Sequence, residues 1–221
     1  MKTKVYFLGI IFSIISLSSC EKEEDFISSE QTSEENINDE ITTLQNDLVT
    51  FSKSTYGGIY NTYADALTAV RRAKSKWGFG VSALIIFGNQ TTHELDLVST
   101  GASWGNWNVK PNAKLPPKKY TIAFGVKTSG AATGFEGHFS YQNSDAQLIG
   151  DFAYDSPFSG SNRIGLNLDY VRNPPSPIKW TSSNVIENRE FGEDGHLYLA
   201  RSIFKENTSS PLIYTTLTEN F

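Results

Sequence analysis

Hydrophobic and polar positions follow three regimes along the chain. Behind Lys2 and Lys4, Val5 to Leu17 is apolar almost without a break. From Glu21 to about Ser54 apolar residues thin out, although Ile37, Ile41, Leu44 and Leu48 keep a roughly helical spacing that fits a transient helix. The third regime starts at Asn61. Tyr63, Ala66, Leu67, Val70 and Trp77 recur at i, i+3, i+4 steps, which predicts an amphipathic helix over 61–77. Thr62 is placed to cap it, with Asp65 in the first turn. Arg71, Arg72, Lys74 and Lys76 crowd its C-terminal end, and Gly78 ends it.

After Gly78 the period changes from helical to two. Phe79–Phe87 is β-rich, Gly88-Asn89-Gln90 reads as a turn, and Glu94–Val98 alternates, so the pair predicts a hairpin. Further strands are expected at Lys119–Val126, Phe135–Tyr141, Gln147–Tyr154, Ile164–Val171, His196–Phe204 and Leu212–Leu217, separated by Pro, Gly, Asn and Ser clusters such as Lys110–Pro117 and Asn173–Pro177. Many short strands with regular turn signals predict an all-β fold. It is a β-sandwich of short, mostly antiparallel strands with one preceding amphipathic helix.

Charge divides the chain in the same places. Glu21–Thr50 holds ten acids and one lysine, whereas the chain from Phe51 holds sixteen Lys and Arg against fourteen Asp and Glu. The acidity belongs to a spacer too polar to offset its own chain entropy. The body is near neutral, without the clustered basic excess of a nucleic-acid binder. The initial apolar run is short against the roughly 20 residues of a spanning helix. With its basic start and small residues before Cys20 it reads as an export signal. Leu17-Ser18-Ser19-Cys20 resembles the lipobox of bacterial lipoproteins, which implies cleavage before Cys20 and lipidation of its thiol. Glu21-Lys22-Glu23-Glu24-Asp25 resembles the acidic surface-export signal of lipoproteins from Bacteroidetes-type bacteria, with a solvated charge run as the alternative. The expected layout is a lipoprotein signal peptide over 1–19, a lipidated cysteine and acidic disordered spacer over 20–54, and a sandwich domain over 55–221. That layout puts the protein at the bacterial outer membrane, anchored through Cys20. Cys20 is also the only cysteine, so no intramolecular disulfide framework is available and packing must hold the domain.

Signals for catalysis are weak. Gly101-Ala102-Ser103-Trp104-Gly105 matches G-x-S-x-G, but Asn106–Pro111 follows where a nucleophile elbow needs a helix. His93, His138 and His196 are too far apart in sequence to point to a zinc site. No phosphate-binding glycine loop is present, and neither an enzyme, a cofactor nor a metal is expected. Aromatic residues in turn-rich segments offer more. Trp104 and Trp107 sit in a Gly/Asn/Pro-rich stretch, and Tyr154, Asp155 and Phe158 flank Pro157 in another. Rings of this kind pair apolar area with polar edges and suit a membrane interface, while a core role remains open for each.

Those segments also carry a family resemblance. Asn89-Gln90-Thr91, Trp104-Gly105-Asn106-Trp107, Thr133-Gly134-Phe135-Glu136-Gly137 and Tyr154-Asp155-Ser156-Pro157-Phe158-Ser159-Gly160-Ser161-Asn162 stand in the order found in the aegerolysins, and roughly 80–168 resembles that family. The aegerolysins are small β-sandwich proteins that recognise membrane lipids. The helix ahead of the sandwich and Gly195-His196 at a late strand are similar to features of the actinoporins, pore-forming cytolysins with an inserting N-terminal helix. The resemblance implies a membrane lipid, sphingolipid-like, as ligand at Trp104, Trp107, Tyr154 and Phe158, with Asp155 accepting from a head-group ammonium. It also implies a separate pore-forming protein as partner. Two other functions stay open. One is an autonomous pore-former whose helix inserts through Tyr63, Leu67, Val70 and Trp77. The other is a lectin-like or cell-surface interaction protein that uses the sandwich as scaffold.

Overall fold

A computed structural model describes residues 56–171 and 177–220. The expected signal peptide, Cys20, the acidic spacer and most of the Asn173–Pro177 loop lie outside the described residues. The described residues belong to one compact unit, Ser52–Phe221.

Its elements in chain order are β1 (Ile59–Tyr60), α1 (Tyr63–Trp77), β2 (Ser82–Gln90), β3 (Leu95–Trp104), β4 (Asn106–Val109), β5 (Lys114–Leu115), β6 (Lys119–Val126), β7 (Phe135–Asn143), β8 (Leu148–Ser156), β9 (Arg163–Tyr170), β10 (Lys179–Thr181), β11 (Val185–Phe191), β12 (Leu197–Glu206) and β13 (Leu212–Asn220). They form a β-sandwich. One sheet has the order β1-β6-β2-β13-β12-β11, with β4 also on β6, and the other the order β10-β9-β8-β7-β3-β5. All pairings are antiparallel except that β13 runs parallel to β2.

The predicted hairpin of β2 with β3 does not form, because the two strands lie in different sheets. β2 is buried from Ser82 to Asn89 and has β6 on one side and β13 on the other, so neither edge is open to β3. The turn itself redirects the chain. Asn89 Oδ1 accepts from the Thr91 N–H (3.0 Å) and hydroxyl (2.8 Å). Its Nδ2 donates to the carbonyls of His93 (2.7 Å) and Leu115 (2.9 Å), which pins the crossing between sheets.

Period-two patterning explains the core. Ala83, Ile85 and Phe87 of β2 join Phe135, Phe139 and Tyr141 of β7, Leu148, Phe152 and Tyr154 of β8, and Ile213 and Leu217 of β13 between the sheets. Phe139 touches a ring on nearly every side, with Phe87, Tyr141, Phe152 and Tyr154 at centroid separations of 5.5–5.7 Å. The alternate residues of β2 and β6, Leu84, Ile86, Ile122 and Phe124, are buried too, although they fall outside this cluster. α1 packs against β6 and β2 and covers that outer face, which is why β2 reads as one continuous apolar run.

Thr62 caps α1, accepting from the Asp65 N–H at 3.2 Å, and the Gly78 N–H closes the last turn on the Lys74 carbonyl at 3.0 Å. Ala66, Val70 and Ala73 are its buried residues. Tyr63 packs edge-on against Tyr214 with centroids 4.9 Å apart. Of the four helix residues expected to insert into a membrane, Val70 is therefore covered by the sheet, Tyr63 and Leu67 are half-buried, and Trp77 is exposed at the helix end. Among the described residues no helix is long and apolar enough to cross a membrane.

Candidate functional site: an aromatic rim at one end of the sandwich

Strand registers bring five sequence-distant segments to one end of the sandwich. Ser82 at the start of β2 pairs with Val126 at the end of β6, Trp104 at the end of β3 with Glu136, and Phe135 at the start of β7 with Ser156. The loop after β12 joins them, since the Ser82 N–H donates to Ser209 O (3.4 Å) and Ser210 Oγ to Gly80 O (3.2 Å).

Among the described residues, three of the four large rings that are more than half exposed gather here, the fourth being Phe191 at the end of β11. Trp104 is 60% exposed, Phe158 57%, and Phe79 fully so. Lys127 connects two of them. Its ammonium lies 6.0 Å from the Phe158 ring centre, its backbone N–H donates to Val81 O, and its side chain passes Gly80. Trp77 and Trp180 are partly exposed nearby, and the Arg163 guanidinium stacks 5.1 Å over Trp180.

The two tryptophans of Trp104-Gly105-Asn106-Trp107 have opposite environments. They stand at a strand junction rather than in a loop: β3 ends at Trp104 in one sheet and β4 begins at Asn106 in the other. Gly105 makes the switch with φ +75°, and a Cβ there would stand 2.4 Å from the Val126 carbonyl. Trp107 turns inward. Its Nε1–H donates to Gly101 O (2.9 Å), and its ring packs on Phe135 and Phe139 at 4.7 and 6.2 Å. The G-x-S-x-G match at Ser103 thus lies on a strand that continues into another strand, without the strand-to-helix turn of a nucleophile elbow.

The segment Tyr154–Asn162 divides in the same way. Tyr154 belongs to β8 and is fully buried, with its hydroxyl 3.0 Å from Thr215 Oγ1. Burial pushes its phenol well above the usual tyrosine range. The sequence expectation that Tyr154 contacts lipid is therefore corrected, because strand alternation points this ring into the core. Asp155 faces out, but Arg163 already holds it through Nε (2.8 Å) and Nη2 (2.7 Å), with Glu136 3.9 Å from the same guanidinium. Phe158 projects into solvent. Asn162 ties the loop to its neighbour by donating to Asn207 Oδ1 and Thr208 O, both at 2.7 Å.

Two clefts flank Pro157. One, of about 300 Å³, is lined by Trp104, Thr133, Phe135, Glu136, Asp155 and Pro157. The buried hydroxyl of Thr133 in this cleft and that of Ser156 beside it have no hydrogen-bond partner. The other, of about 500 Å³, is lined by Phe158, Ser159, Ser161, Asn162, Ser182, Asn207 and their neighbours, and is rich in hydroxyl and amide groups. Of the five residues expected from sequence, Trp104 and Phe158 stand on the rim, Asp155 lines the cleft already paired, and Trp107 and Tyr154 support the rim from behind. Phe79, Lys127, Arg163 and Trp180 were missed. The strand expected over Phe79–Phe87 includes Phe79, whose place between two glycines is the signal that could have marked it.

No protein-family model matches the chain, and no curated protein matches it by sequence. The fold has solved counterparts. A lipid binding protein, Nakanori, superposes with a TM-score of 0.59 at 13% identity, over 70% of this chain and 79% of that one. RahU protein, solved in complex with a TRIS molecule, has a TM-score of 0.39 at 10% identity, over 65% of this chain and 98% of that one, and a score that low carries no inference. At such identities the likeness is one of fold. The sandwich implied by the aegerolysin-like motifs is the architecture this chain adopts.

Proposed function

We propose that this domain is a lipid-recognising β-sandwich that meets a membrane surface with its aromatic rim. The observation that carries the reading is the collection of Phe79, Trp104 and Phe158 at one end of the domain, three of the four large rings that are more than half exposed among the described residues, Phe191 being the other. Exposed apolar groups concentrated in one place mark an interaction surface. Aromatic rings beside Lys127 and Arg163 suit the boundary between acyl chains and head groups. Trp104, Phe79 and Phe158 enter that boundary, and the head group occupies the cleft beside Pro157, where the Thr133 and Ser156 hydroxyls supply unused polar capacity. Because Arg163 already neutralises Asp155, Glu136 is the better partner for a head-group ammonium. The fold shared with a lipid binding protein supports the reading.

Within this reading the domain is non-catalytic, and Cys20 tethers it by lipid to the bacterial outer membrane, with the acidic spacer giving it reach. A sphingolipid-like head group and a separate pore-forming partner are the finer expectations. A docked α1 with Val70 buried favours recognition over autonomous pore formation. The test is co-sedimentation of the chain with vesicles of phosphatidylcholine, phosphatidylethanolamine, sphingomyelin or ceramide phosphoethanolamine carrying an entrapped dye. Binding to one class without dye release supports the recognition module. Release by the protein alone transfers the role to α1, and no binding to any vesicle removes the proposal.

The hydroxyl- and amide-lined cleft favours a second reading, a lectin-like site for a glycan. Binding to a glycan array together with failure on every vesicle is its signature.

A further inference from the structure

The opposite end of the sandwich gathers a different chemistry. The β2–β3 crossing brings His93, the β11–β12 turn brings Asp194 and His196, and the end of β13 brings Glu219. His93 Nε2 stands 3.9 Å from Asp194 Oδ2 and 3.8 Å from Glu219 Oε1. His196 Nδ1 stands 3.9 Å from the same Asp194 oxygen and 2.6 Å from the same Glu219 oxygen. One nitrogen of His93 and one oxygen each of Asp194 and Glu219 thus lie within 4.8 Å of one another, brought together from three segments far apart in sequence, while His196 borders the group through Glu219. With metal–ligand bonds of about 2.0–2.1 Å, tetrahedral ligand atoms lie roughly 3.4 Å apart, so side-chain shifts of about an ångström close the trio.

Each of these groups is also held from behind. His93 Nδ1 meets Asp145 Oδ2 at 2.9 Å, the carboxylate–imidazole pairing that orients a ring whose Nε2 faces the centre. The His93 carbonyl is gripped by Asn89 Nδ2 and Thr91 Oγ1. Glu219 Oε2 takes the Thr92 N–H (2.8 Å) and hydroxyl (2.7 Å), which leaves Oε1 to the imidazoles. Tyr198 donates to Asp194 Oδ2 at 2.6 Å. Among the described residues, Asp145, Asp194 and Glu219 have no lysine or arginine in ion-pair contact. A divalent cation would balance this excess of carboxylate.

We propose that His93, Asp194 and Glu219 form a structural binding site for zinc or a similar divalent transition metal, with water completing the coordination and His196 holding Glu219 from outside. Imidazole with carboxylate selects such ions over calcium and magnesium, which take all-oxygen sets. The ion cross-links the crossing between sheets, the β11–β12 turn and the last strand, so it acts on stability and leaves the aromatic rim untouched.

The test uses the full chain without a histidine tag, stripped with chelator and titrated with Co²⁺ and then Zn²⁺. One equivalent of Co²⁺ is expected to give visible absorption of tetrahedral type, to be displaced by Zn²⁺, and to raise Tm by several degrees. His93→Ala should abolish the absorption. Asp145→Asn, at an exposed side chain, should weaken binding roughly 10–100-fold. His138→Ala should bind as the parent does. Absence of saturable binding, or equal binding by folded His93→Ala and Asp145→Asn variants, would overturn the site.

Discussion

Trp104 and Trp107 are three residues apart and chemically identical, yet the fold assigns them opposite tasks, so replacing each by alanine should separate binding from stability. Trp104 is 60% exposed. With roughly 250 Å² for an indole, about 150 Å² remains to be covered, worth ~4 kcal/mol at 25 cal/mol/Å² if fully withdrawn from water. A ring that enters the interface to half its depth gains about 2 kcal/mol, so Trp104→Ala should lower vesicle partitioning about 30-fold. Its exposed position means stability should stay within about 0.5 kcal/mol of the parent. Trp107 gives the converse. Losing its packing on Phe135 and Phe139 and its bond to Gly101 should cost about 3 kcal/mol, or roughly 6–12 °C in Tm for a domain of this size. Vesicle binding measured well below that Tm should fall much less. The assays are co-sedimentation against the best vesicle of the panel and denaturant unfolding of the same samples. A folded Trp104→Ala protein that binds vesicles as tightly as the parent would refute the aromatic-rim reasoning. So would a Trp107→Ala protein with unchanged stability, since that ring would then not be the support described.

Further outcomes follow from other contacts. Gly105→Ala should destabilise the domain by 2 kcal/mol or more, at about the scale of a strained positive-φ site plus a steric clash, because the added Cβ meets the Val126 carbonyl; chemical denaturation measures it. Tyr154→Phe should cost about 1 kcal/mol for the lost hydroxyl contact to Thr215 and leave vesicle binding unchanged; a large binding defect would return Tyr154 to the lipid surface. Burial raises the phenols of Tyr141, Tyr154 and Tyr198, with Asp194 adding to the shift at Tyr198. The folded state therefore favours their protonated forms, a contribution complete below the ordinary tyrosine pKa of about 10 and lost as pH rises beyond it. Thermal melts from pH 8 to 12 should show stability falling above about pH 10; a flat profile would contradict it.

Much of the fold was legible from the pattern of side chains. The helix over 61–77 carried its own cap at Thr62, its stop at Gly78 and an apolar stripe, all of them local signals. The strands with alternating or continuous apolar residues were readable for the same reason. β11 was not, since Val185–Phe191 is an edge strand with Glu187 and Arg189 on its open face, and edge position removes the apolar signal. At the site, sequence marked the right segments but could not sort their rings. Trp104 and Trp107 differ only in which side of the Gly105 sheet switch each lies on, and Tyr154 differs from Phe158 only because the strand reaches Ser156 before it ends.

Local sequence alone determined that this chain builds a helix followed by many short strands, because periodicity, caps and turn residues act over a few positions. Partnership between strands was decided in three dimensions. β2 and β3 adjoin in sequence and read as a hairpin, yet β2 pairs with β13, more than a hundred residues later, and with β6, so both of its edges are hydrogen-bonded while the other sheet and α1 cover its faces. The same long-range registers carry Phe79, Trp104 and Phe158 to one end and His93, Asp194, His196 and Glu219 to the other. No spacing along the chain encodes either cluster, since each is made of residues that meet only when the two sheets close on their shared core.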